Sequence, residues 1–306
     1  MRIVIALGGN ALGDKPLTQK ENAYLTALKI LPIIKEGHEI IITHGNGPQV
    51  GLINLAFTEG GKVNEKVYEM PFSECGAMSE GYIGYHLQNA LNNVMKKNNI
   101  NKNIISVITQ VEVDANDSAF ASPTKPIGSF YTLEEAKKMP YPMKEDSGRG
   151  YRRVIASPKP VRVLEEEAIC NIISNGDIVI ACGGGGIPVI KKEDSYIGVD
   201  AVIDKDFASS KLANNIDADV LLILTAVSEA SINFNTPNQK KLGRVNYIDM
   251  IKYNEGGHFG SGSMKPKVEA SIEFVKGKKG RVAIITSIDN AYNALKKDVG
   301  TKIINE

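Results

Sequence analysis

The sequence predicts an α/β fold in which a parallel sheet is covered by helices, and three observations carry that prediction. Helical and strand patterns alternate along most of the 306 residues. Several apolar runs are continuous and β-branched, as in strands buried on both faces. Three of these runs break directly into glycine: residues 4–7 into Gly8-Gly9-Asn10, residues 40–43 into His44-Gly45-Asn46-Gly47-Pro48, and residues 178–182 into the glycines of 183–186. Open parallel sheets bind ligands at the C-terminal ends of their strands. Glycine there lets backbone N–H groups approach an anion with no Cβ in the way. Three such turns point to a site for several phosphate or carboxylate oxygens.

The elements follow in order. A strand over residues 2–7 opens the chain, and Thr18 with Glu21 reads as a capping box for the first helix. Tyr24, Ala27, Leu28, Leu31 and Ile34 continue it at helical spacing, and Gly37 suits a left-handed C-cap. A strand over 38–43 precedes a helix beginning near Pro48. A long helix over 73–97 gathers Ile83, Leu87, Ala90, Leu91 and Val94 on one face, and a strand over 104–109 follows. From 114 to 162 the alternation fails, and six of the 13 prolines fall there. Such a stretch is no regular core layer. It reads as a small inserted subdomain, of the kind that often forms a lid, with Thr132 and Glu135 capping a short helix over 133–138. Alternation resumes with a helix over 164–174 and a strand over 177–182. A second half runs from about 191 to 306, with strands over 220–224, 281–286 and 302–304. The division predicted is therefore an N-terminal lobe over 1–190, carrying the insertion, and a C-terminal lobe over 191–306.

The composition is that of an ordinary globular enzyme, and a net charge of +1 gives no general attraction to nucleic acid or anionic membranes. Any anion site must then be local. No apolar run reaches the roughly 18 residues of a membrane span, and the N-terminus carries no cleavable signal pattern. Cys75, Cys170 and Cys182 have no C-x-x-C spacing and read as reduced thiols, which places the protein in the cytoplasm.

Several chemistries are disfavoured by what is missing. No G-x-x-x-x-G-K-[ST] stretch is present, and Val50 occupies the third glycine position of a dinucleotide fingerprint. No G-x-S-x-G elbow and no His/Cys metal cluster occurs. His44 lies in the second glycine turn, where supporting the loop is the simpler role. The lysines say more. Lys205, in Asp204-Lys205-Asp206, opens a helix running to about 215, and Lys267 lies in the first turn of another running to about 275. A cation at a helix N-terminus opposes the macrodipole by a few tenths of a kcal/mol. Each alone reads as a surface lysine; together they become favourable beside a bound anion. The flanking aspartates either cap the helix, orient the ammonium groups or meet Mg²⁺ with phosphates. Lys125 stands between turn residues of the insertion, and Arg149, Arg152 and Arg153 add charge: a solvated hairpin or a lid over a small anion.

With these residues in view, the chain resembles the carbamate kinases of the amino-acid kinase superfamily. The likeness runs from residue 1 to about 304. It includes Ala6-Leu7-Gly8-Gly9-Asn10-Ala11, the stretch from Thr43 to Gly51, Ser122-Pro123-Thr124-Lys125-Pro126-Ile127-Gly128 and Lys144-Glu145-Asp146-Ser147-Gly148-Arg149-Gly150. Ser157-Pro158-Lys159-Pro160, residues 183–188, Ala201-Val202-Ile203-Asp204-Lys205-Asp206, Gly257-His258-Phe259 and Gly262-Ser263-Met264 with Lys267 complete it. Two positions depart from the pattern: Ala226 stands where Asp or Gly is usual, and Tyr151 where Trp is usual; Ala6 stands where many other members of the superfamily carry lysine.

The resemblance implies a three-layer α/β/α sandwich around a mostly parallel sheet of about eight strands, in a homodimer. It implies reversible phosphoryl transfer between ATP and carbamate, giving ADP and carbamoyl phosphate, and a place in arginine or related nitrogen catabolism. The N-terminal lobe would hold carbamate or carbamoyl phosphate through Gly8, Gly9, Asn10, Gly45, Asn46 and Gly47. The C-terminal lobe would hold ATP or ADP through Asp204, Thr225, Val227, Met264 and Lys267, with Mg²⁺ held mainly by the nucleotide phosphates. By the same matching Lys205 supplies the charge missing at Ala6, Lys267 lies on the transferring phosphoryl, Lys125 is the lid lysine and Asp206 organises the lysines. A kinase for a larger carboxylate and a catalytically silent nucleotide-binding protein are the alternatives.

Overall fold

The computed structural model describes residues 1–8, 12–13, 16–146, 148–260 and 264–306, with the backbone alone at 16 and 17. The chain begins with β1 (Arg2–Leu7), α1 (Pro16–Lys35), β2 (Glu39–His44), α2 (Gly47–Val63), α3 (Phe72–Lys97), β3 (Ile104–Ser106) and β4 (Gln110–Val113). A middle stretch holds β5 (Lys125–Tyr131), α4 (Leu133–Ala136), β6 (Met143–Glu145), β7 (Tyr151–Ile155), β8 (Pro160–Val163) and α5 (Glu166–Ser174). Next come β9 (Ile178–Ile180), β10 (Ile187–Lys192), β11 (Ser195–Gly198), α6 (Lys205–Asn215) and β12 (Val220–Thr225). The last part comprises β13 (Ser231–Ile232), β14 (Lys240–Lys241), β15 (Arg244–Asn246), α7 (Tyr247–Glu255), α8 (Met264–Lys276), β16 (Val282–Ser287), α9 (Ala291–Lys296) and β17 (Thr301–Ile304).

Eight strands form the main sheet in the order β15-β17-β16-β12-β1-β2-β9-β3. Every pairing is parallel except β16 with β17. Alternate residues of a strand face opposite sides, and each side of β1 enters its own core. Ile3, Ile5 and Leu7 pack with the buried faces of α1, α3 and α9, whereas Val4 and Ala6 pack with those of α5, α6, α7 and α8. Two helical layers thus enclose the sheet, and the predicted three-layer α/β/α sandwich is observed. Among the described residues no helix is long and apolar enough to cross a membrane.

Several details differ from the expectations. The first helix begins at Pro16, so Thr18 stands inside its first turn and is not its cap. The strand expected over 104–109 ends at Ser106, and the chain crosses to a second, four-stranded sheet of order β11-β10-β4-β8. That sheet includes the edge strand β8, which begins at Pro160, a position where the missing N–H costs no ladder bond. The proline-rich segment is also more regular than its sequence suggests. β5, β7 and β6 form an antiparallel sheet of their own, and the Thr132–Glu135 capping box is present on α4. A small cluster of Val50, Phe72, Cys75, Ile127, Ile155 and Val202 fastens this sheet to α2 and α3. The boundary expected after residue 190 falls within β10, which pairs with both β4 and β11. The left-handed Gly37 is as expected, with φ of 75°.

Candidate functional site

The strand order reverses at β1. The chain proceeds from β1 to β2 on one side and later returns with β12 on the other. Ligands of open α/β sheets bind at such a point. Gly8 lies there, and a Cβ on it would stand 2.7 Å from the Leu224 carbonyl oxygen of β12. Only glycine lets β1 end so close to its neighbour. Gly9 and Asn10 lie outside the described residues, as do Gly262 and Ser263.

Three lysines from three separate elements meet beside this point. Asp204 caps α6, its Oδ1 accepting the Asp206 N–H at 2.9 Å. Its Oδ2 accepts the ammonium of Lys125, the first residue of β5, at 2.5 Å. Asp206 receives Lys205 on Oδ1 at 2.5 Å and Lys267, from the first turn of α8, on Oδ2 at 3.0 Å. The two lysine side chains on Asp206 are only 12% and 11% exposed, and Asp206 is 3% exposed. Burial alone would raise the Asp206 carboxyl, but the two ammonium groups outweigh it and hold it at about 2. Lys205 is lowered by its own burial, against the pull of Asp206, and the neighbouring Lys267 charge adds to the fall. A centre with two ammonium groups sharing one carboxylate gains from a further anion, because the excess charge is little screened there.

The second glycine turn runs beneath Lys205. A Cβ on Gly45 would lie 3.5 Å from the Lys205 Cδ. Asn46 caps α2 only through its backbone, while its buried amide donates to Ser79 Oγ at 2.8 Å. Gly47 opens α2, leaving the N–H groups of that helix start without intrahelical partners. His44 supports the loop: Nδ1 donates to the Gly45 carbonyl at 3.0 Å. Burial drives the imidazole down to about 4, and the Lys205 charge adds to the shift, so the ring is neutral at pH 7. Thr225 ends β12 beside Gly8, Val227 lies exposed just beyond, and Met264 opens the helix that carries Lys267. The third glycine turn has another role than the sequence suggested. Gly183, Gly184 and Gly185 are buried, and added Cβ atoms would meet His44 at 2.6 Å, Asn46 at 2.1 Å and the Ile203 carbonyl at 2.1 Å. It is a packing wedge behind the site.

Several contributors escaped sequence reading. Thr43 Oγ1 and Ser209 Oγ, 2.6 Å apart, tie the end of β2 to α6 and so hold Lys205 over Gly45. The threonine closing the apolar run of β2 was the available signal; Ser209 stands among other polar residues of α6 and gave none. Of the arginines of the insertion, Arg149 and Arg152 work within it by pairing with Asp146, whereas Arg153 reaches out of it and donates to Asn54 of α2 at 2.8 Å. Gly51 and Gly128 bring α2 and β5 together so closely that a Cβ on Gly51 would lie 2.2 Å from the Gly128 Cα. Gly51→Ala is expected to push β5 away from α2, draw Lys125 off Asp204 and lower kcat/KM by about tenfold or more. Faster amide exchange in β5, with α3 unchanged, checks the cause. Among the described residues no three His, Cys, Asp or Glu side chains are grouped to hold a metal ion.

Comparison with known proteins agrees with this geometry. The profile of the amino acid kinase family matches residues 1–286. The chain is 53% identical to a carbamate kinase of Clostridium perfringens over 313 aligned positions, covering 99% of this chain and 100% of that one. It is 50% identical to the carbamate kinase-like protein YqeA of Escherichia coli, with 99% and 98% covered. The carbamate kinase of Giardia lamblia bound to AMP-PNP superposes with a TM-score of 0.92 at 42% identity, over 100% of this chain and 98% of that one. With the sheet order, the glycine turns and the paired lysines all in place, this chain belongs to the amino acid kinase family.

Proposed function

We propose that this chain is a carbamate kinase, transferring a phosphoryl group reversibly between ATP and carbamate to give ADP and carbamoyl phosphate. The observation that carries the reading is the meeting of Lys125, Lys205 and Lys267 on Asp204 and Asp206 at the switch point of the sheet. The full-length similarity to carbamate kinases supports it.

The arrangement suits the chemistry. A carbamate oxygen is already anionic, so the reaction needs no general base. Its obstacle is repulsion between that oxygen and the γ-phosphoryl group, which fixed positive groups remove. The carbamate oxygen forms a bond to phosphorus as the bond to the ADP oxygen breaks. Lys205 and Lys267, already paired and buried, stabilise the equatorial oxygens with little reorganisation. Gly8, Gly45 and Gly47, with Gly9 and Asn10, cradle the acceptor and the migrating group, and Asn46 keeps the second turn in shape. Asp206 holds the two lysines in register. Lys125 closes the lid and excludes water. The half before about residue 190 holds the acceptor, and the half after it holds nucleotide through Asp204, Thr225, Val227, Met264 and Lys267.

Mg²⁺ would arrive with the nucleotide phosphates and neutralise charge on them. The site fits that role rather than a protein cage, since both oxygens of Asp206 carry lysines and those of Asp204 take the Asp206 N–H and the lid lysine; Asp204 would meet the ion only where Lys125 yields its place on Oδ2. The reading extends to a cytoplasmic homodimer, which light scattering on the purified protein tests.

Incubation with ADP and carbamoyl phosphate is expected to yield ATP, and ATP with bicarbonate and ammonia to yield ADP. Turnover with acetylglutamate or aspartate in place of carbamate would favour the larger-carboxylate alternative. ATP binding with no turnover of any acceptor would favour a silent nucleotide-binding protein.

A further inference from the structure

Behind the glycine wedge lies a buried acid that the phosphoryl-transfer chemistry does not use. Glu80, on α3, is 3% exposed. Its Oε2 accepts the Thr109 N–H at 2.9 Å, while Oε1 is buried without a hydrogen-bond partner. Thr109 in turn clamps the wedge at both ends: its hydroxyl accepts the Cys182 N–H at 3.0 Å, and its carbonyl accepts the Ile187 N–H at 2.8 Å. Cys182 holds a left-handed backbone, φ 49°, which a non-glycine residue keeps only when its surroundings impose it. The wedge itself bears on Asn46 through Gly184 and on the carbonyl of Ile203, two residues before Lys205, through Gly185.

We propose that Glu80 is a positioning residue of the reaction centre: as a neutral carboxylic acid it fixes Thr109, and through Thr109 the glycine wedge on which Asn46 and the start of α6 rest. This rests on the phosphoryl-transfer reading of that centre. Burial and the missing cation both favour the neutral form. Among the described residues no lysine or arginine pairs with Glu80, and an ionised carboxylate with one oxygen buried and undonated is costly. The titratable groups around it bring no positive charge. Glu165, before α5, is a carboxylate bonded to the Gln110 N–H; Cys182 is a thiol pushed well up by burial; His44, across Gly183, is a neutral imidazole. Burial pushes the Glu80 carboxyl well above the ordinary carboxylate range against the pull of the Thr109 N–H, the Glu165 charge adds to the rise, and the backbone N–H of Gly183 in the wedge opposes it more weakly.

A neutral acid is mimicked by an amide. Glu80→Gln keeps an acceptor for Thr109 and cannot ionise, whereas Glu80→Ala removes the clamp. The sign of the pH effect follows from the raised acid: its contribution to stability is complete below the ordinary value of 4.5 and declines as pH climbs toward the folded-state value. Melting temperatures and steady-state ATP formation from ADP and carbamoyl phosphate are measured for the three proteins from about pH 6 to about pH 9.5. Glu80→Ala is expected to lose about tenfold or more in kcat, with Glu80→Gln rescuing it to within about twofold. The melting temperature of Glu80→Gln should exceed that of the parent by a margin that grows with pH, and its activity should decline less steeply on the alkaline side than the parent's, the remaining decline being that of Lys205, whose ammonium is lowered by burial. Unchanged kcat per folded molecule in Glu80→Ala, or a Glu80→Gln as impaired as the alanine variant, overturns the proposal. If the alanine variant does not fold, parallel pH profiles of parent and glutamine variant overturn it equally. The melting arm needs no substrate, so an inactive parent protein counts against the proposed function alone.

Discussion

Lys267→Ala is expected to lower kcat by about 10²–10³-fold, roughly 3–4 kcal/mol of transition-state stabilisation, with the fold retained. The ammonium is held 3.0 Å from Asp206 at the N-terminal turn of α8, and its side chain is 11% exposed. A group held in place before the reaction costs no reorganisation during it, so its loss falls on the chemical step. KM for nucleotide should therefore change far less than kcat. Arginine at this position keeps the charge but not the compact point shape, and should restore only part of the rate. Circular dichroism and single-turnover kinetics on the alanine and arginine variants check this; turnover near that of the parent would remove Lys267 from the mechanism.

The second large effect is on Asp206→Asn, which should lose both activity and stability. Asp206 is the one carboxylate between two buried ammonium groups. Removing one partner of a buried ionic cluster leaves uncompensated charge and costs about 3–5 kcal/mol. kcat should fall about 10²-fold or more as Lys205 and Lys267 repel one another out of register. The acid limb gives a second readout. A depressed carboxyl contributes stability that is present above its unfolded value near 3.8 and is lost as pH falls through about 2. Acidification from about pH 5 should thus lower the melting temperature of the parent more than that of Asp206→Asn. Equal slopes for the two proteins would show that the carboxylate is not held by its lysines.

Much of this was legible in the chain. The continuous β-branched runs marked parallel strands buried on both faces, and alternation along β1 now divides the two cores as the period of two requires. Asp204-Lys205-Asp206 announced a helix start with a cation where the macrodipole disfavours one, and that local misfit led to the site. It is a short-range signal, carried by three adjacent residues and needing no knowledge of distant neighbours. The Thr132–Glu135 capping box was equally local, and it is present.

What escaped sequence reading is everything set by pairs far apart in the chain. Glycine has two opposed uses, approach of a ligand and approach of another segment, and the residues themselves look the same. The turn at 183–186 belongs to the second kind, because His44, Asn46 and Ile203 come from elsewhere to fill its surface. Gly51 and Gly128 meet for the same reason. Glu80 looked like one more polar residue on a helix until the fold buried it against Thr109, 29 positions away. Residue types and local spacing determined the layers, the helix starts and the lysines; only tertiary packing decided which glycines wedge against other segments, which carboxylates meet ammonium groups and which are buried without one, since desolvation depends on neighbours that local order does not specify.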